Sequence, residues 1–119
     1  MSTLTPYAGD WNFKTASFLL GRTIFGKTKE QTDMSEQIGL EATLHSLFQD
    51  TPTPDPPIHY RFDNDPVAPV GTTWVDKYYP ANDIMGLQSA RRDSVIVWHT
   101  GLMQESGVSI LEKMVLFWH

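Results

Sequence analysis

Seven of the chain's eight prolines lie in one segment, Thr51–Pro80, and this segment constrains the fold more than any other feature. Each proline fixes φ, removes a backbone donor and disfavours helix at the residue before it. We therefore expect an irregular, extended segment with no helix longer than two turns between Thr51 and Gly71. Large side chains such as Tyr60 and Trp74 lie in the same segment, so we expect it to lie across the surface with its aromatic groups packed inwards.

The residues before the proline segment begin with a first helical pattern. Asp10 precedes the apolar-periodic residues and is of the type that caps helices, so the pattern predicts a helix over 11–20. Gly21 and Gly26 bracket the next four residues, which we interpret as a turn that returns the chain to the core.

Two further helices are predicted before residue 50. Thr28 and Gln31 match the capping-box pattern T-x-x-Q and open a short polar helix, which Gly39 ends. The next helix is amphipathic, because its large apolar residues recur at intervals of three and four. These residues are Leu40, Leu44, Leu47 and Phe48.

The longest predicted helix starts at Asn82 or Asp83 and ends near Gln104. One face carries a stripe at helical spacing. The stripe consists of Ile84, Leu87, Arg91, Val95, Trp98 and Leu102. Leu87, Val95 and Trp98 are therefore expected in the core, and Arg91, which lies on the same stripe, is expected to be paired and partly buried.

The last predicted helix is apolar on nearly every side. Ser109 and Glu112 match a second capping box, and Ser106-Gly107 is a short turn that predicts an antiparallel hairpin with the preceding helix. The apolar residues are Ile110, Leu111, Met114, Val115, Leu116, Phe117 and Trp118. A helix that is apolar all round is typical of the middle of a larger core. We therefore expect the chain to be the N-terminal part of a longer protein.

Together these patterns predict an all-α fold of about five helices packed around a Leu/Phe/Trp core, with a long proline-rich irregular insert. We expect one domain over 1–119, divided into helices in 1–50, an irregular insert in 51–80 and a helical hairpin in 81–119. The pattern predicts no membrane span, because no apolar run approaches the length that crosses a bilayer. No signal peptide is visible, so the cytoplasm is the default localisation.

The net charge of −5 argues against a nucleic-acid partner, which needs a basic surface. The absence of cysteine excludes disulfides, thiolate metal sites and a cysteine nucleophile. The four histidines lack zinc-binding spacings, and His45 is expected to face solvent. His119 closes the apolar helix and is our candidate metal ligand. Asp63-Asn64-Asp65 lacks the glycine and glutamate of a calcium loop, so we interpret Asp65 as the start of an Asx-turn ahead of Pro66.

Two segments carry a family resemblance. The segment 16–26, ASFLLGRTIFG, followed by Thr28, resembles the "hLLrRtgFGat" opening of the large bacterial family called domain of unknown function 1800. The segment 111–119, LEKMVLFWH, resembles that family's "REKMtlFWHghF" signature. Gly21 and Leu111 stand where arginines are usual, which weakens any charge network that the family builds there.

The resemblance implies a predominantly helical protein, several times longer than this chain, with no established activity. Family members are often exported, and the signature continues with a second histidine after the one matched by His119. The matched positions Arg22, Phe117 and Trp118 are our candidate binding or interface residues.

Two functions from different classes follow. The first is a structural or interaction module, whose partner is the missing C-terminal part of the same protein or another copy of the chain. The second is part of an enzyme, which could be a metal-dependent one, with its site at the junction following His119. The sequence does not identify a cofactor, a catalytic residue or a substrate.

Overall fold

The computed structural model describes residues 4–82 and 84–119, and the fold class is all-α, as predicted. Five helices form within these residues, and no strand does. The helices are α1 Phe13–Thr23, α2 Lys29–Ile38, α3 Leu40–Leu47, α4 Leu87–Glu105 and α5 Leu111–Trp118. The irregular stretch before α4 contains one isolated antiparallel bridge, between Ile58 and Thr73. None of the helices in the described ranges combines the length and apolar character needed to cross a bilayer.

Contacts divide the chain into two compact units. Unit 1 comprises Met1–Asp50 and Ser106–His119, and therefore contains α1, α2, α3 and α5. Unit 2 comprises Thr51–Glu105, and therefore contains the proline-rich segment and α4. The predicted single domain and the predicted hairpin of the last two helices stay predictions.

The start of α1 differs from the prediction. Asn12, not Asp10, is the N-cap, because its Oδ1 accepts from the backbone N–H groups of Lys14 (3.0 Å) and Thr15 (3.2 Å). The hydroxyl oxygen of Thr15 in turn accepts from the Asn12 N–H at 2.9 Å, which completes a reciprocal cap. Asp10 and Asn12 are both residue types that cap helices, and the reciprocal bond with Thr15 makes Asn12 the cap.

The end of α1 also differs from the prediction. The helix continues through Gly21 to Thr23, where we expected a turn, and the Ile24 N–H donates to the Leu20 carbonyl at 2.9 Å. Leu20 and Ile24 are both buried. Burial of these two side chains, one turn apart on the same face, offsets the low helix propensity of glycine.

The capping box of α2 is confirmed. The Gln31 N–H donates to the Thr28 hydroxyl oxygen at 3.1 Å, and the Thr28 N–H donates to the Gln31 side-chain oxygen at 2.9 Å. Gly39 separates α2 from α3 with φ of 88°, a left-handed value that a residue without Cβ adopts at little cost.

The core of unit 1 is aliphatic. Leu20, Ile24 and Leu47 form a buried cluster, against which Leu19 and Val108 pack. The Leu part of the predicted Leu/Phe/Trp core is present, but every Phe and Trp of the chain is half-buried or exposed. In α1, Phe18 is exposed because it lies two residues, or about 200° around the helix axis, from buried Ala16.

Two predicted helix starts in the second half are corrected. We expected the long helix from Asn82 or Asp83, but α4 begins at Leu87, and Asp83 lies outside the described residues. The predicted capping box of α5 does not form. Ser109 Oγ instead accepts from the Leu111 N–H at 3.2 Å, two residues on.

The predicted stripe of α4 is the side of the helix that packs inward, but two of its residues are less buried than expected. Leu87 and Arg91 are buried, whereas Val95 and Trp98 are half-buried. The indole N–H of Trp98 donates to the Asp55 carbonyl at 2.7 Å, so this side chain pairs with the proline-rich segment of the same unit. A polar tip that needs a partner keeps an indole near the surface.

Candidate functional site

The terminal helix α5 presents its apolar residues outward. At 100° per residue, one side of the helix carries four apolar residues, which in order around its axis are Phe117, Met114, Trp118 and Leu111. Their exposed fractions are 74%, 39%, 78% and 42% in that order. Glu112 lies on the opposite side and is 8% exposed. We call these four apolar residues the outer face of α5.

Polar contacts hold α5 against the rest of unit 1. The ammonium of Lys113 donates to the carbonyls of Gly21 (3.4 Å) and Ile24 (3.3 Å) at the end of α1. A cation at the C-terminus of a helix is favourable, because unpaired carbonyls give that end a partial negative charge. The Ile110 N–H donates to the Leu47 carbonyl of α3 at 3.1 Å. Lys113 and the backbone of Ile110 therefore anchor the helix, and the outer face is left exposed.

The residues predicted as a site are all in unit 1. The rings of Phe117 and Trp118 meet edge to face, with centroids 5.2 Å apart. His119 follows them and is exposed. Arg22, in the last turn of α1, is exposed and lies over the Phe18 ring at 5.4 Å. The structure thus brings Phe117 and Trp118 together, and Arg22 has its own aromatic partner.

No group of three or more His, Asp or Glu side chains could hold a metal ion within 4–82 and 84–119. His119 as a metal ligand, and the enzyme alternative that depends on it, stay predictions. His45 is exposed, as expected.

A second apolar surface in unit 1 is a cleft of about 520 Å³ beside α1 and α3. It is lined by Pro6, Tyr7, Trp11, Thr15, Phe18, Leu19, Leu40 and Leu44. Helical periodicity does not predict this cleft, because residues before α1 form part of its wall.

Unit 2 contains a buried charge network that centres on Asp65. Its Oδ2 accepts from the Arg91 guanidinium at 3.1 Å (Nε) and 2.9 Å (Nη2), and it lies 2.9 Å from His59 Nε2. Its Oδ1 accepts from the N–H groups of Val67 (3.0 Å) and Ala68 (3.3 Å), which confirms the predicted Asx-turn. Arg91 is paired and buried, as the sequence indicated.

Asp65 is ionised in this network. Burial by itself would raise the pKa of the carboxyl, but the hydrogen bonds from Val67, His59 and Arg91 stabilise the carboxylate and lower the pKa to about 2. The Arg91 guanidinium also lies over the rings of Trp74 (5.4 Å) and Tyr79 (5.3 Å). The cation therefore contacts a carboxylate and two aromatic rings, all from the irregular segment.

The network ties the irregular segment to α4. His59 donates its backbone N–H to Thr72 (3.0 Å) and accepts from Gly71 (2.7 Å). A cleft of about 260 Å³ adjoins the ring of His59, and at its rim Arg61 and Asp93 pair at 3.7 Å. Sequence reasoning had no signal for His59, because its partner Asp65 comes from a turn whose path no periodicity predicts.

No protein-family model matches this chain, and neither a curated protein nor a solved structure matches it. The resemblance to domain of unknown function 1800 therefore rests on the two motifs alone.

Proposed function

We propose that this chain is a structural or interaction module whose outer face of α5 packs against another polypeptide. The observation that supports this most directly is the orientation of α5. Its buried residue is Glu112, and the large apolar side chains of its outer face point to solvent. A helix that contributed only to its own core would bury the apolar side and expose the glutamate.

The energetics support the same proposal. Two aromatic and two aliphatic side chains of the outer face add several hundred Å² of contiguous apolar surface, as much as the largest patch on a typical monomer. Covering that surface contributes roughly 25 cal/mol for each Å² removed from water. Because Lys113 fixes α5 through two carbonyls of α1, the face is already oriented for a partner.

The partner comes from one of two sources, which are sequence that continues the same protein and a second copy of the chain. The resemblance to the bacterial family adds weight to an interface here, since Phe117 and Trp118 are matched positions of its signature. Arg22 is kept as a candidate interface residue because it belongs to the matched opening motif, and its guanidinium lies over the Phe18 ring.

Site-specific photo-crosslinking in living cells tests the proposal. Phe117→p-benzoylphenylalanine places the reactive group on the outer face, and Tyr78→p-benzoylphenylalanine is the matched control in unit 2. The two positions are 74% and 72% exposed, so accessibility does not distinguish them. We expect a discrete adduct from position 117 and none from position 78. Absence of an adduct at 117, or equal adducts at both positions, would refute an interface on α5.

A further inference from the structure

We propose that the polypeptide covering the outer face of α5 is a second copy of this chain. The two α5 helices lie antiparallel across a two-fold axis that passes near Met114. This inference rests on the proposed function and goes beyond it by naming the partner and the geometry.

The exposed area is sufficient for a dimer. Aromatic side chains each supply about 150–250 Å² when fully covered, and Phe117 and Trp118 are about three-quarters exposed. With Leu111 and Met114, the outer face presents on the order of 500 Å². Two copies together would bury on the order of 1,000 Å², which reaches the lower limit for a specific protein interface. The expected dissociation constant is accordingly weak, on the order of micromolar.

The outer face is also self-complementary. The four residues of the outer face carry no charge, so two copies can approach without burying an unpaired ion among them. A two-fold axis brings the same patch of both copies together, and antiparallel helices place each C-terminal end beside the other's N-terminal end. Met114 lies near the middle of the face, where its flexible thioether can adapt to its own symmetry mate.

The apolar cleft of unit 1 is the competing acceptor. A Trp118 side chain inserted into the cleft of another copy would make a head-to-tail contact, in which each copy still offers a free helix and a free cleft. Such contacts continue into open chains unless a ring closes. Contact between two outer faces closes at two copies, and this difference is measurable.

Sedimentation equilibrium of the purified chain tests the stoichiometry. We expect a monomer–dimer equilibrium, a dissociation constant raised about tenfold or more by Phe117→Glu, and no change with Tyr78→Glu. Circular dichroism of both variants checks that they fold. A chain that stays monomeric to millimolar concentration, a ladder of higher oligomers, or equal effects of the two variants would each overturn the proposal.

A single introduced cysteine tests the geometry, because the chain has none of its own. Met114→Cys should give a covalent dimer with a short bis-maleimide cross-linker. Ala42→Cys, on an exposed position of α3, should not. A dimer that sediments normally but does not cross-link at position 114 would place the interface elsewhere.

The two proposals fail in different ways. If the chain is monomeric but position 117 forms an adduct with a different protein, the second copy is ruled out and the interaction module stands. If position 117 forms no adduct in cells, the module itself is refuted.

Discussion

Asp65 is the most heavily constrained side chain of unit 2, because both of its carboxylate oxygens accept hydrogen bonds and all three side chains of the network are buried. Such a network is costly to break from one side, because the remaining charge has no water to replace its partner. Its role in this structure is to hold an irregular segment, which has few backbone hydrogen bonds of its own, against α4.

Asp65→Asn should therefore destabilise the chain strongly. The amide keeps the shape but leaves the Arg91 guanidinium without a counter-charge, so we expect a loss of about 3–5 kcal/mol in the free energy of unfolding. Asp63→Asn is the matched control, since Asp63 is exposed and two residues away. It should change the free energy of unfolding by less than about 0.5 kcal/mol. Urea unfolding at pH 7 measures both, and similar effects would contradict a structural role for the network.

The same residue predicts an acid dependence. The pKa of Asp65 is about 2 in the folded chain and 3.8 for the free side chain, so the folded state favours the carboxylate. The resulting stability, on the order of 2 kcal/mol, is fully present above about pH 4–5 and is lost as the pH falls through 2. Unfolding free energies should therefore fall more steeply between pH 5 and pH 2 for the native sequence than for Asp65→Asn. Parallel curves would show that Asp65 does not carry this acid dependence.

The two ends of this ion pair differ in how far sequence could predict them. Arg91 was predictable as a paired arginine, because a charged residue on an apolar helical stripe cannot stay buried without a partner. Asp65 was predictable as a turn residue but not as that partner. The distance along the chain is long, and the intervening prolines give no periodicity from which a register could be read. His59 had no signal at all.

Among the helices, one of the two predicted capping boxes forms. The box of Thr28 and Gln31 forms as predicted. The predicted box of Ser109 and Glu112 does not form, because Ile110 and not Ser109 is the N-cap of α5. Asp10 and Asn12 are both residue types that cap helices, so residue type alone does not distinguish them.

These two boxes make a matched pair of predictions. Thr28→Ala should cost about 1 kcal/mol, since it removes a side-chain acceptor from the Gln31 N–H and leaves α2 uncapped. Ser109→Ala removes the hydroxyl that accepts from the Leu111 N–H at 3.2 Å, a contact that is not an N-cap of α5. It should cost about half as much or less. Denaturant melts of both variants measure these losses in the free energy of unfolding. An equal or larger loss from Ser109→Ala would indicate that Ser109 does cap α5.

At the scale of the whole molecule, helix content was predictable but the division into units was not. Periodicity and breakers identify helices from neighbouring residues, whereas the units depend on which distant segments touch. Ser106–His119 belongs with Met1–Asp50 rather than with the segment that immediately precedes it. The apolar character of α5 was visible in sequence. That its apolar side faces outward follows only from the contacts of Ile110 and Lys113.

The orientation of α5 predicts that the stability and the self-association of the chain depend on different side chains of unit 1. Leu20 is fully buried in the core cluster, so Leu20→Ala should lower the free energy of unfolding by about 2–5 kcal/mol. Phe117 is 74% exposed, so Phe117→Ala should change it by less than about 0.5 kcal/mol when measured at a concentration too low for self-association.

The concentration dependence of the melting temperature then separates the two roles. The concentration dependence should persist in Leu20→Ala, at a lower melting temperature, because the outer face is intact. It should vanish in Phe117→Ala, because the outer face has lost one of its two aromatic rings. Tryptophan fluorescence melts over a hundredfold concentration range provide the measurement. A large loss of stability from Phe117→Ala in dilute solution would mean that α5 packs its aromatic side against its own unit. The outer face would then be part of the core, and no partner would be needed to cover it.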